Sequence, residues 1–115
     1  MLRVYVAGAY SAPHIIGVMA NIRKGQIASL DLLKSGYAPF CPFIDYQFSL
    51  ISDDPPTLEE YYAYSLAWLE ASDAVLVLPG YENSKGTLAE IKRAIDLSIP
   101  VYFKPVDLPA PNFTR

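Results

Sequence analysis

The chain has 115 residues, of which 52% are hydrophobic and 18% are charged, and its net charge is −3 with an isoelectric point near 4.9. This length suits one folded domain over residues 1–115, and the acidic balance excludes the basic surface with which proteins bind nucleic acid polymers. No apolar run approaches the roughly 20 residues of a membrane span and no signal segment precedes the first strand, so we expect a cytoplasmic protein without membrane contact.

The chain contains one cysteine, Cys41, and one histidine, His14. A single cysteine excludes an intrachain disulfide, and so few sulfur and imidazole ligands exclude a zinc cluster. We therefore expect a protein that uses neither a metal nor a cofactor.

The first quarter of the chain has the pattern of a strand followed by a helix. A β-rich run over residues 2–7 ends at Gly8 and leads into a loop. Apolar residues then recur near helical spacing from about 15 to 35, and Gly36 is the residue expected just past a helix end. These apolar positions are Ile16, Met19, Ala20, Ile27, Leu30 and Leu33.

A second strand is predicted over residues 37–43. Pro39 and Pro42 remove donors from its ladder, which favours a short strand at the sheet edge. Residues 44–56 are predicted to form a loop.

The pattern continues through the second half of the chain. Thr57 and Glu60 form a capping box, which predicts a helix from there to about residue 71. Three further elements follow: a buried strand over residues 73–78, a helix over residues 85–97 with Leu88, Ile91 and Ile95 toward the sheet, and a last strand over residues 100–103.

Strands and helices in this order predict an α/β fold. We expect a three-layer α/β/α sandwich with a parallel sheet of four or five strands, of the flavodoxin or Rossmann type, joined by right-handed crossovers. Ligands of such folds bind beyond the carboxyl ends of the strands. That edge collects the loop after Gly8, the segment around Asp45 and Tyr46, and residues 80–90, whereas Asp73 lies at the opposite end and has a structural role.

The segment from Ser84 to Glu90 combines an anion site with a carboxylate. A helix that begins near Ser84 leaves backbone N–H groups and the positive end of its dipole for an anion such as phosphate. Gly86 lets a ligand approach the backbone, and Glu90, four residues further on, lies above the same helical face. A carboxylate beside a sugar C1′ can act as the nucleophile of a retaining glycosidic mechanism.

Three segments together resemble the nucleoside 2-deoxyribosyltransferase-like superfamily, most closely its small bacterial and phage members and the related deoxynucleoside 5′-monophosphate N-glycosidases. They are Tyr5-Val6-Ala7-Gly8, residues 66–73, and Ser84-x-Gly86-x-x-x-Glu90. The resemblance implies that Glu90 is the nucleophile, that Tyr5 hydrogen-bonds it, and that Gly8 with Ala9 and Tyr10 borders the sugar. It also implies a nucleoside or nucleotide substrate and a homodimer or higher homo-oligomer.

Two positions depart from the family pattern. Ser65 stands where the transferases and related hydrolases carry an aspartate, and Asp45 could replace that acid from another direction. Ser84 stands where nucleoside transferases tend to have an acid, whereas nucleotide hydrolases have serine. Because serine accepts a phosphate that an acid would repel, and Lys85 adds positive charge, we favour a 5′-monophosphate substrate.

Other functions remain open on the sequence alone. A non-catalytic module could bind a nucleotide with the same loops, and the segment from Pro79 to Glu90 also resembles cytokinin-type phosphoribohydrolases. Nine tyrosines and ten prolines would also suit an assembly subunit. Tyr10 and Tyr46 could stack on a base or pack against protein, and His14 could touch a phosphate or be polar surface, whereas Arg23 and Lys24 are expected in solvent.

Overall fold

The computed structural model describes residues 1–113, apart from the side chain of residue 44. Its four strands form one parallel sheet in the order β2-β1-β3-β4. The strands are β1 (Arg3–Ala7), β2 (Ala38–Phe40), β3 (Ala74–Val77) and β4 (Val101–Tyr102). The α-helices are α1 (Ile15–Lys34), α2 (Tyr46–Leu50), α3 (Leu58–Glu70) and α4 (Lys85–Asp96). Three 3-10 turns cover Pro42–Asp45, Tyr81–Asn83 and Pro105–Asp107.

Alternation along the central strands β1 and β3 creates one core on each face of the sheet. On the first face, Leu2, Val4, Val6, Ala74 and Leu76 pack with Leu32 of α1, Tyr37 and Leu108. On the second face, Tyr5, Ala7, Val75 and Val77 pack with Leu69 of α3, Ala94 of α4 and Ile99. The predicted three-layer α/β fold with a parallel sheet is therefore confirmed, with four strands.

The chain reverses direction across the sheet between β1 and β3. From β1 it crosses to β2 on one side, and after α3 it returns to β3 on the other side of β1. The loops that follow β1 and β3 diverge at such a switch point and leave a crevice at the carboxyl ends of the strands. At the amino ends, the backbone N–H of Arg3 donates to Asp73 Oδ2 at 2.8 Å, in agreement with a structural role for Asp73.

Gly25 lets α1 lie directly against the segment that follows β2. A Cβ atom at this position would lie 2.7 Å from Cys41 Sγ and 2.8 Å from a ring carbon of Phe43. The close approach fixes the turn Pro42–Asp45, and this turn carries Asp45 to the carboxyl edge of the sheet. A packing contact of α1 thereby positions a candidate site residue.

The predicted loop over residues 44–56 is wrong in part, because its first residues belong to the turn Pro42–Asp45 and to α2. Strand β2 also ends at Phe40, three residues before the predicted end. Pro42 has no backbone N–H for a ladder, so the chain turns there and coils into a short helix. Within the described residues, no helix has the length and apolar character needed to cross a membrane.

The predicted inner face of α4 is also wrong in part, because Leu88 and Ile95 are 45% and 65% exposed. Thr87 and Ala94 face the sheet instead, with Ile91 packed beside them. Small side chains at the contact let the helix lie close to the strands, and the larger ones turn outward.

The apolar positions that predicted α1 lie largely on its outward face. Ile16 is 80% exposed and Leu33 is 54% exposed, whereas the buried positions of the helix are Ile22, Gly25 and Leu32. The helix has two apolar stripes, and periodicity cannot tell which of them meets the sheet.

Candidate active site

An open cavity of about 940 Å³ lies at the carboxyl ends of β1 and β3. Four parts of the chain line it: the loop after β1, the turn Pro42–Asp45 with α2, α3 as far as Leu66, and the segment from Gly80 to Glu90. These are the loops that the parallel topology brings together at one edge of the sheet.

Glu90 and Tyr5 meet at the floor of this cavity. The Tyr5 hydroxyl donates a hydrogen bond to Glu90 Oε2, and the Tyr5 side chain is fully buried in the centre of the sheet. Burial raises the pKa of Tyr5 far above its ordinary range, and the neighbouring Glu90 raises it further. The phenol therefore stays protonated and serves as a fixed donor to the carboxylate.

The carboxyl group of Glu90 is held in a partly desolvated position. Burial raises its pKa from 4.5 to about 7, with a further increase from the charge of Asp45 and an opposing effect of the Tyr5 hydrogen bond. Burial disfavours the charged form of a carboxyl group, and a donated hydrogen bond favours it. Near neutral pH a substantial fraction of Glu90 is thus ionised and poorly solvated, which suits a nucleophile.

The first turn of α4 presents backbone amides beside Glu90. Ser84 is the N-cap, and its Oγ accepts from the Thr87 backbone N–H at 3.2 Å while its carbonyl accepts from Leu88 at 3.0 Å. In the described part of the chain, this cap leaves the amides of Lys85 and Gly86 available to a ligand. A Cβ atom at Gly86 would meet no protein atom within 4 Å, so the space above this residue is open.

Asp45 supplies a second carboxyl group to the cavity. It ends the turn Pro42–Asp45, and burial raises its pKa to about 6. Burial, with the charge of Asp45 as the next cause, raises the pKa of the nearby Tyr10 to about 12. The Tyr10 ring packs against Phe43 and Tyr46, with centroid distances of 5.4 and 6.2 Å.

The structure brings the predicted site residues to one place. The cavity is lined by Gly8, Ala9, Tyr10, Asp45, Ser84, Gly86 and Glu90, and Tyr5 reaches it through its bond to Glu90. Packing also favours glycine at position 8, because a Cβ atom there would lie 3.2 Å from Leu78 Cβ. His14 is exposed and does not line the cavity, and Arg23 and Lys24 lie on the exposed side of α1.

Apart from Tyr46 and Ser65, the lining from α2 and α3 was missed from the sequence. Tyr61 and Tyr62 border the cavity, and the Tyr61 hydroxyl lies 2.7 Å from Ser49 Oγ of α2. Tyr61 and Ser65 are four residues apart in a helix with a clear capping box, so the sequence does place both on one face. Ser65 also lines the cavity, and its hydroxyl beside Tyr5 lowers the pKa of that phenol against the larger increase from burial.

Within residues 1–113, no group of three or more His, Cys, Asp and Glu side chains is arranged to hold a metal ion. The polar groups that line the cavity are hydroxyl groups, backbone amides, the Asn83 carboxamide, the Lys85 ammonium and the carboxyl groups of Asp45 and Glu90. Such a set can bind an anion, position a sugar, and supply one nucleophile and one acid.

Comparisons with known proteins extend this description. A family model described as a domain of unknown function, DUF7768, matches residues 2–104. No curated protein matches the sequence. The structure is similar to a 2-deoxyribosyltransferase from the psychrotolerant bacterium Bacillus psychrosaccharolyticus, described as a biocatalyst for the synthesis of antiviral and antitumoral nucleosides. The TM-score is 0.62 and the identity 17%, over 86% of this chain and 69% of that chain. The similarity shows a shared fold.

The burial of Glu90 predicts that replacing it with Gln stabilises the protein at alkaline pH. Because its pKa is raised to about 7 in the folded state, the stability tied to its protonated form is complete below pH 4.5 and is lost as the pH rises through 7. One pKa unit corresponds to about 1.4 kcal/mol. We therefore expect the free energy of unfolding of Glu90→Gln to exceed that of the wild type by roughly 3 kcal/mol at pH 8 and by less than about 1 kcal/mol at pH 5.

Urea unfolding at the two pH values measures this difference. The matched control is Glu82→Gln, an exposed glutamate in the turn Tyr81–Asn83, which should leave stability unchanged at both. A Glu90→Gln variant that is no more stable than wild type at pH 8 would show that the Glu90 carboxylate is well solvated.

Proposed function

The chain belongs to the DUF7768 family of domains of unknown function, and we propose that it cleaves or exchanges the N-glycosidic bond of a deoxynucleoside 5′-monophosphate. The observation that carries the proposal is the largely buried carboxyl group of Glu90, hydrogen-bonded by Tyr5 and facing a cavity beside the start of α4. The fold shared with a 2-deoxyribosyltransferase supports glycosyl transfer as the class of reaction.

In the first step, a Glu90 oxygen attacks C1′ of the deoxyribose from the face opposite the base. The C1′–N bond breaks, its electron pair leaves with the base, and a glycosyl ester forms on Glu90. The transition state carries positive charge on the sugar, which the ionised carboxylate stabilises. The Tyr5 hydroxyl donates a hydrogen bond to Glu90 Oε2 and thereby keeps the carboxylate in position for the attack.

The departing base needs a proton, and we assign this role to Asp45. Its raised pKa of about 6 keeps part of the population protonated near neutral pH, and it lines the same cavity as Glu90. In the second step, water or a second base attacks C1′, the ester bond to Glu90 breaks, and Asp45 takes up the proton of the nucleophile. With this assignment, Asp45 replaces the aspartate that the related enzymes carry at the position of Ser65.

The phosphate is assigned to the start of α4. The amides of Lys85 and Gly86 are available to an anion, and the Lys85 side chain adds a positive charge. The Ser84 side chain is held by Thr87 as the helix cap and brings no negative charge that would repel a phosphate. The phosphate would then bind at the start of α4, one helical turn before the nucleophile Glu90. The tyrosines at positions 10, 46, 61 and 62 supply aromatic faces and hydroxyl groups around the base and sugar.

The alternative is a module that binds a nucleotide without reaction, and Ser65 in place of an acid is the feature that favours it. The resemblance to cytokinin-type phosphoribohydrolases is weaker, because the turn Tyr81–Asn83 separates Gly80 from Gly86. Detection of free base after incubation with a nucleotide distinguishes an enzyme from a non-catalytic module.

Incubation with each deoxynucleoside 5′-monophosphate, followed by chromatographic detection of free base, tests the proposal. We expect release by the wild type, and a fall of about 1,000-fold or more in Glu90→Gln, since Gln cannot form the ester but preserves the hydrogen bond from Tyr5. Glu82→Gln should retain full activity. Nucleotide binding without release by the wild type would favour the module, and release that persists in Glu90→Gln would exclude Glu90 as the nucleophile.

The phosphate assignment predicts a change of substrate in Ser84→Asp. Aspartate is as good an N-cap as serine, so the helix keeps its start, but its charge would oppose the 5′-phosphate. Like charges in contact cost several kcal/mol, so kcat/KM for a deoxynucleoside 5′-monophosphate should fall about 100-fold, while kcat/KM for the matching deoxynucleoside should not fall. Equal losses for both substrates would show that the phosphate binds elsewhere.

A further inference from the structure

The outward face of α1 carries several large exposed apolar residues, with Arg23 between them. Its exposed fractions are 80% for Ile16, 52% for Met19, 47% for Ile27, 49% for Leu30 and 54% for Leu33. A helix on the surface of a globular protein ordinarily turns charged and polar residues outward. A group of large exposed apolar residues on one helix face marks an interaction site.

The spacing of this face is that of a helix that pairs with another helix. Positions 16, 20, 23, 27, 30 and 34 are separated alternately by four and three residues and hold Ile16, Ala20, Arg23, Ile27, Leu30 and Lys34. An alternation of four and three residues is the seam along which two helices pack side by side. With 20 residues, α1 is about 30 Å long, enough for several layers of such contacts.

The charges of α1 decide which helix fits and in which direction. The helix has one acidic residue, Asp31, and three basic residues, Arg23, Lys24 and Lys34. In a parallel pair of two copies, Asp31 would oppose Asp31 and the basic residues would oppose one another. In an antiparallel pair centred on Ile27, Lys24 of each copy faces Asp31 of the other on the same flank.

We propose that α1 binds α1 of a second copy of this chain in antiparallel orientation, with the two-fold axis near Ile27. Each Ile27 then packs against its counterpart, and the small Ala20 faces the long stem of Lys34. The aliphatic part of Arg23 lies against Leu30, so that its guanidinium group reaches solvent at the edge. Within the overlap of the two helices, residues 20–34, each outward residue of the seam thus has a counterpart of suitable size or charge, whereas Ile16 lies beyond the end of the opposing helix.

A groove beside α1 extends this surface. It encloses about 780 Å³ between α1 and the turn Pro105–Asp107, and Lys24, Ile27 and Asp31 lie on its α1 side. Val106 on the opposite side is 83% exposed. Two copies would cover the seam and part of this groove, which helps the contact approach the 1,200 to 2,000 Å² that stable interfaces typically bury.

The mass in solution tests the interface, measured by sedimentation at tens of micromolar protein. The wild type should sediment with twice the 12.7 kDa of one chain, or with a multiple of that dimer. Ile27→Glu places two carboxylates at the two-fold axis and should reduce the assembly to units that lack this contact. Ile95→Glu is the matched control, because Ile95 is a 65% exposed isoleucine on another helix, α4, and the change should leave the mass unaltered.

Charge reversal tests the orientation. Lys24→Glu and Asp31→Lys should each weaken association about tenfold or more, and the double variant should recover wild-type association, because both pairs are then reversed together. Within one chain the two residues are separated by about 10.5 Å along the helix, so a direct pair inside the monomer cannot cause the recovery.

Circular dichroism identifies any variant that fails to fold. A monomeric wild type, an assembly unaffected by Ile27→Glu, or a double variant as weak as the singles would each overturn the proposal. None of these results depends on catalysis, so they separate this inference from the proposed function.

Discussion

A hydroxyl group buried in the centre of the sheet binds a carboxylate at the floor of the cavity, and the site is built around this contact. A largely desolvated carboxylate is unfavourable without a donor, and Tyr5 supplies one from the strand that is paired on both sides. Pairing of β1 with β2 and β3 leaves the phenol little freedom to move. The position of Glu90, and with it that of α4, therefore follows from the sheet.

The two faces of the sheet have separate tasks in this account. On the α4 face, the proposed anion site at Lys85 and Gly86 lies about one helical turn from the Glu90 carboxylate, so the two move as a unit. The α1 face carries the proposed contact between copies. A connection exists through Asn21, whose side chain donates to the Tyr10 backbone carbonyl at 3.0 Å. A second copy packed on α1 would thus also restrict the motion of the loop after β1, which borders the cavity.

The sequence predicts the strands and the longer helices because their periodicity and caps are local. It cannot by itself connect Tyr5 with Glu90, which are 85 residues apart and meet only through the sheet; the family resemblance suggested that pair. Helix α2 was missed because five residues after a proline-rich segment carry no measurable period. The inner stripe of α1 was misjudged because Gly25, one of its buried positions, packs against Cys41 and Phe43 by close approach and adds nothing to the hydrophobic pattern.

The most direct measurement of the central claim is the covalent state of Glu90 during turnover. The protein would be quenched with acid while it processes a deoxynucleoside 5′-monophosphate, digested with a protease, and analysed by peptide mass spectrometry. We predict a deoxyribose 5-phosphate adduct on the peptide that contains Glu90, and none in Glu90→Gln. Rapid base release with an unmodified Glu90, or an adduct on another side chain, would contradict the account.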